Sequence, residues 1–242
     1  MYDHVDWRSL AHGDAAVLEI PRLLGELGSA PTSTAAAEAV YGLHEIVCYG
    51  SVTVEPAAVQ VIPLLYQMLG SADFHWAQYV IQLIDTMVCV PGVIDAVEGE
   101  LKYLVRTEIL RGRPILLSHT RSASTEVRGI ALTALADSSL NPSEDFVYFA
   151  EAFSEEGDPV VQGDLAYAMV ALYLRDPSAV VALRGKDWID DLLAHENPAV
   201  RYRSAQCMVM AEHDHAGFPL RALMETVQSE VMARNLLRSE YM

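Results

Sequence analysis

Glu126-Val127-Arg128-Gly129-Ile130-Ala131-Leu132-Thr133-Ala134-Leu135 decides how this chain folds, because its pattern recurs twice more. Val160-Val161-Gln162-Gly163-Asp164-Leu165-Ala166-Tyr167-Ala168-Met169 and Ala199-Val200-Arg201-Tyr202-Arg203-Ser204-Ala205-Gln206-Cys207-Met208 keep its order. Each has a valine, a polar residue, two free positions, a small-or-apolar pair, one free position, then Ala or Cys before Leu or Met. The anchor valines fall 34 (127 to 161) and 39 (161 to 200) residues apart. Self-similarity at that period is the mark of a helical-repeat array, in which each helix pair buries its apolar face only by stacking on its neighbours.

Each segment starts just after a cap. Asp158-Pro159 and Asn197-Pro198 place a side-chain acceptor before a proline at the first helical position, where its missing N–H costs nothing. Ser122 or Ser124 serves the helix that holds Val127. These are the second helices of their repeats, and the first helices run over about 114–120, 143–154 and 186–195. Phe146, Phe149, Ala150 and Phe153 give the middle one a helical apolar face. Upstream, 57–69 and 74–88 form a pair around a Gly70-Ser71-Ala72-Asp73 turn with a cap, and 16–27 and 34–48 form another. Residues 219–228 and 231–237 make a shorter last pair. Residues 1–14 act as an N-terminal cap, and an insertion near 97–113, read as a lengthened helix, extends one interval. The whole of 1–242 thus reads as one domain, with helix above 60% and essentially no strand.

Apolar residues make up 52% of the chain and mean hydropathy is +0.18. Stacked helices account for that without a membrane, since the apolar runs are too short for the roughly 20 residues a spanning helix needs. The start, Met1-Tyr2-Asp3-His4-Val5-Asp6, lacks the basic and apolar regions of a signal peptide. Cys48, Cys89 and Cys207 are odd in number and widely spaced, which points to a reducing, cytoplasmic compartment. The formal charge of −17, with Lys102 and Lys186 the only lysines, repels phosphate backbones and excludes a general nucleic-acid binder. It serves solubility, and it also fits a basic partner or a cationic ligand. Arginine over lysine and abundant alanine suggest a GC-rich bacterial genome.

The Val-Arg-x-x-Ala-Leu-x-Ala-Leu string of Val127–Leu135 and the Asn197-Pro198-Ala199-Val200-Arg201 start resemble HEAT repeats. The likeness extends over about 15–240 and is strongest over 114–213. Asp6-Trp7, Tyr41-Gly42 and Ile62-Pro63-Leu64-Leu65 look like the opening of actinobacterial HEAT-repeat proteins. The resemblance implies an all-α, right-handed α-solenoid of about six HEAT-like helix pairs, with second helices lining a concave surface that grips a partner. It also implies that Arg128 and Arg201, at one repeat position, pair with acids of the adjacent repeat.

None of the familiar nucleotide, hydrolase or zinc-protease strings is present. A polar stripe at His75, Gln78, Gln82 and Asp85 instead follows helical spacing, with Trp76 beside it. Glu38, Tyr41, Glu45 and Cys48 share that spacing on the preceding second helix. Together with His44 these residues are the candidate groove. The plain alternative is two solvated helix faces. His44-Glu45-x-x-Cys48 puts imidazole and thiol one turn apart, and Glu212-His213-Asp214-His215 is rich in ligand atoms, but two ligands do not make a metal site. No metal and no cofactor are expected.

Two functions compete. One is a binding module whose acidic groove holds a protein or peptide, for which a basic one is the natural complement. The other is a cofactor-independent acid/base enzyme on a HEAT scaffold, acting on a small molecule or peptide in a bacterial biosynthetic pathway through Glu45, His75 and Asp85. The sequence fixes no catalytic residue and no oligomeric state.

Overall fold

The computed structural model describes residues 5–10, 15–184, 188–211 and 219–237. Helix makes up 75% of it, and among the described residues there is no strand. The chain divides into two compact units between Ser118 and His119.

The first unit holds α1 (Trp7–Leu10), α2 (Ile20–Gly28), α3 (Ser33–Val47), α4 (Ala58–Leu69), α5 (Ala77–Cys89), α6 (Leu101–Arg111) and α7 (Arg113–His119), which ends at the boundary. A short 3-10 helix over Ala15–Glu19 leads into α2, and another over Tyr49–Ser51 follows α3. Leu24, Leu27, Leu43, Ile62, Leu65, Ile81 and Ile84 are fully buried. Each such side chain contributes about 1.5–3 kcal/mol relative to exposure. Thr32 caps α3 by accepting from the Ala35 N–H. The 97–113 interval is not a lengthened neighbour but a run of turns followed by the separate helix α6.

Helix α5 begins three residues later than the sequence pattern predicts. Trp76 has φ −110° and ψ 34°, outside the helical region, and no side chain caps the helix. The Trp76 indole donates to the Ala30 carbonyl at 3.0 Å, and the Phe74 N–H closes a turn on the Ser71 carbonyl. His75 and Trp76 therefore belong to the entry loop, and Asp73 is not the cap.

The second unit holds α8 (Thr125–Asp137), α9 (Pro142–Glu155), α10 (Pro159–Arg175), α11 (Pro177–Arg184), α12 (Trp188–Leu193), α13 (Pro198–Met210) and α14 (Leu220–Ala233). Ser124, Asp158 and Asn197 cap α8, α10 and α13, with Pro159 and Pro198 at the first helical positions. Val127, Val161 and Val200 are all buried, and α10 packs between α8 and α13. Helix α11 is additional to the predicted elements. The C-terminal pair is instead one helix, α14: Val227 and Val231, one turn apart, both pack on Tyr202, and no Gly or Pro interrupts Gln228-Ser229-Glu230. Glu212-His213-Asp214-His215 and Lys186 lie outside the described residues.

Candidate functional site

On α3, Glu38, Tyr41 and Glu45 are exposed, as a shared helical spacing requires. The fourth member of that stripe is a correction: Cys48 is fully buried beyond the helix end, and His44 is buried as well. His44 Nε2 lies 3.0 Å from Ser51 Oγ and so ties α3 to the following turn, where Gly50 and Ser51 both take positive φ (59° and 56°). Its Nδ1 stands 3.3 Å from Glu45 Oε1 without the alignment of a hydrogen bond. Burial pushes the Cys48 thiol up to about 11. It stays protonated at neutral pH, so the His44–Cys48 pair offers no ready thiolate as nucleophile or metal ligand.

The α5 stripe is rearranged by the late helix start. His75 is exposed in the loop, Trp76 is half-buried against Ala30, and Gln78, Gln82 and Asp85 are half-buried on the helix. With a 1.5 Å rise per residue, Ala77 to Asp85 alone spans about 12 Å of axis. His75 and Asp85 therefore cannot exchange a proton directly. Asp85 acts electrostatically on Tyr66, whose hydroxyl donates to the Ile109 carbonyl at 3.1 Å. Burial, with Asp85 adding to it, drives the Tyr66 phenol well above its ordinary value.

Glu38 lines a cleft of about 500 Å³ between α2 and α3, together with Arg22 and Glu26. The Arg22 guanidinium is engaged there by Glu19 at 2.7 Å and Glu26 at 2.5 Å. From Arg22 the chain runs to Lys102 without another Lys or Arg, while acids recur throughout. Beside the Glu38 and Glu45 carboxylates on α3, Tyr41 is 55% exposed, and in the turn that follows the helix Tyr49 is 64% and Val52 61% exposed.

The second unit contains a polar arrangement of which the sequence marks only Arg128 and Arg201. The residue after each valine makes the same two contacts. Arg128 donates to the Ser122 carbonyl at 2.7 Å and pairs with both Glu156 oxygens at 2.9 and 3.2 Å. Gln162 donates to the Glu156 carbonyl at 2.7 Å and accepts from Asn197 Nδ2 at 2.9 Å. Arg201 donates to the His195 carbonyl at 2.5 Å and pairs with Glu230 at 3.0 Å. Each reaches back to the carbonyl six residues earlier and forward to a later segment, so both arginines do meet an acid further along the chain.

Three and six positions after the valines stand Asp164, Tyr167, Arg203 and Gln206. The Arg203 guanidinium lies 3.5 Å from buried Asp164, stacks 4.5 Å above the Tyr167 ring and donates to Gln206 at 2.7 Å. The signal for this cluster was the register itself, since α10 and α13 bring equal repeat positions side by side. Nearby, burial above all, with Asp137 adding to it, pushes the Cys207 thiol up to about 12. Compared with protein-family models, curated proteins and solved structures, the chain matches none.

Proposed function

We propose that this chain is a binding module of HEAT type, a right-handed solenoid of stacked helix pairs, and that the exposed surface of α3 holds a basic protein segment. The equivalent burial of Val127, Val161 and Val200 and the repeated contacts of Arg128, Gln162 and Arg201 support the repeat reading. The observation that carries the binding reading is the surface of Glu38, Tyr41, Glu45, Tyr49 and Val52, within a stretch from Arg22 to Lys102 that has no other cation. Exposed tyrosines supply area at low entropic cost and take a Lys or Arg head group over the ring, while the carboxylates set the sign of the partner. No helix among the described residues is long and apolar enough to cross a membrane. The three cysteines form no disulfide, which is consistent with a reducing cytoplasmic setting.

The test is a titration of the purified chain with Lys/Arg-rich and Asp/Glu-rich peptides of equal length, followed by fluorescence anisotropy. Basic peptides should bind, more weakly as salt rises. Tyr41→Ala with Glu45→Gln should lower affinity about tenfold or more with thermal stability nearly unchanged. Equal binding of both peptide sets, or full affinity in the double variant, would overturn the reading.

A further inference from the structure

Gly25 is the most puzzling residue of α2. It stands sixth of nine in the helix, where glycine costs backbone entropy that alanine would not. Close packing usually explains such a residue, yet a Cβ built on Gly25 would meet nothing within 4 Å. Folding alone therefore gives no reason for it. The space it leaves open belongs to a cavity of about 530 Å³ between α2, α4 and the loop before α5. Leu24, Leu64, Met68 and Phe74 make its lining mainly apolar, and Asp73 stands on the same lining, in the loop before α5, which starts only at Ala77. Gly28, one turn after Gly25, also borders the cavity and keeps its wall low.

We propose that this cavity is a small-molecule site for an amphipathic amine, its apolar body on Leu64, Met68 and Phe74 and its ammonium group on the Asp73 carboxylate. The volume lies within the roughly 300–1,000 Å³ of small-molecule sites, which pair an apolar lining with a few polar groups that fix orientation. Charge selects the sign of the ligand. Asp73 is exposed and lies in the cation-free stretch between Arg22 and Lys102, and Arg22 itself is held by Glu19 and Glu26 on the other cleft. An anion would meet no cationic side chain on this lining, only the Gln67 amide and the Ser71 hydroxyl, and a neutral molecule would lack the charge pairing with the carboxylate. This site is separate from the α3 surface and does not rest on its reading.

Three probes of one shape separate these terms: 4-phenylbutylamine, 4-phenylbutanol and 4-phenylbutyrate, titrated calorimetrically into the full chain. The amine should bind about tenfold more tightly than the alcohol, and the carboxylate should bind least. Asp73→Asn, on an exposed turn, should erase the margin of amine over alcohol while leaving the alcohol unaffected. Gly25→Leu should abolish saturable binding of all three. Should that variant lose helix by circular dichroism, Ser71→Trp at the cavity edge serves instead. Gly25→Ala should raise Tm by about 2 °C, since the helix gains where packing asks nothing. Absence of saturable amine binding, or amine binding indifferent to Asp73→Asn and to the blocking variant, would overturn the proposal. Equal affinity for amine and alcohol would overturn its cationic part.

Discussion

Gly112 and Tyr66 show how much can rest on one missing methyl group. A Cβ on Gly112 would sit 2.0 Å from the Tyr66 ring, which crosses the end of α6 so that its hydroxyl can reach the Ile109 carbonyl. The ring is buried and cannot swing away without giving up that bond. Gly112→Ala should therefore destabilise the chain by about 3 kcal/mol, at the upper end of overpacking, measured by chemical denaturation. A loss below about 1 kcal/mol would mean that the helix end yields instead. Glu156 is a second residue with a measurable consequence. Burial works to raise its pKa, but the Arg128 hydrogen bond and the Asp158 N–H outweigh that and hold the carboxyl below its ordinary 4.5. A depressed carboxyl stabilises the fold in full above its unfolded value, and that contribution fades as pH falls through the folded value. Melting temperatures between pH 6 and pH 3 should fall more steeply in the wild type than in Glu156→Gln. Parallel curves would show that the pair contributes nothing across that range.

Helices come next in scale, and here the sequence was most readable where local chemistry is strongest. Asn197-Pro198 and Asp158-Pro159 marked their helix starts because a capping side chain and a fixed φ act within a few residues. The same signal stood at Asp176-Pro177, where Asp176 accepts from the Ala179 N–H, and it opens α11. The start of α5 was not legible, because the indole bond from Trp76 to Ala30 joins residues far apart in sequence and overrides a good helical pattern. The candidate groove was legible only in part for the same reason. Spacing placed Glu38, Tyr41 and Glu45 on one exposed face, but it could not tell that the chain leaves the helix at Cys48 and buries it. Asn197 invites an experiment at this scale. Its Oδ1 caps α13 through the Ala199 N–H, and its Nδ2 reaches both the Pro159 carbonyl and Gln162. Asn197→Asp keeps the cap and loses the two donations, whereas Asn197→Ala loses both. The alanine variant should cost about 2 kcal/mol and the aspartate variant about half, by thermal melts. Equal losses would place the whole effect in the bridge to Pro159 and Gln162.

Taken as a whole, the molecule is dominated by its charge, 33 acids against 16 Lys and Arg. Duplex DNA should not be retained at physiological salt, because affinity for it comes mainly from neutralising phosphates. A salt-sensitive shift in a mobility assay with a micromolar or tighter midpoint would contradict this. The three matching helices α8, α10 and α13 also differ at one position in a way that bears on how the chain can grow. Two residues after each anchor valine stand Gly129, Gly163 and then Tyr202. A Cβ on Gly163 would lie 3.1–3.2 Å from Ala199, so the glycine lets α13 begin almost against the backbone of α10. Tyr202 fills the corresponding space with a ring that packs on Val227 and Val231 of α14. At this position a glycine admits the start of the following helix, whereas in α13 a ring occupies the space, so a helix entering behind α13 as α13 enters behind α10 would have to displace Tyr202.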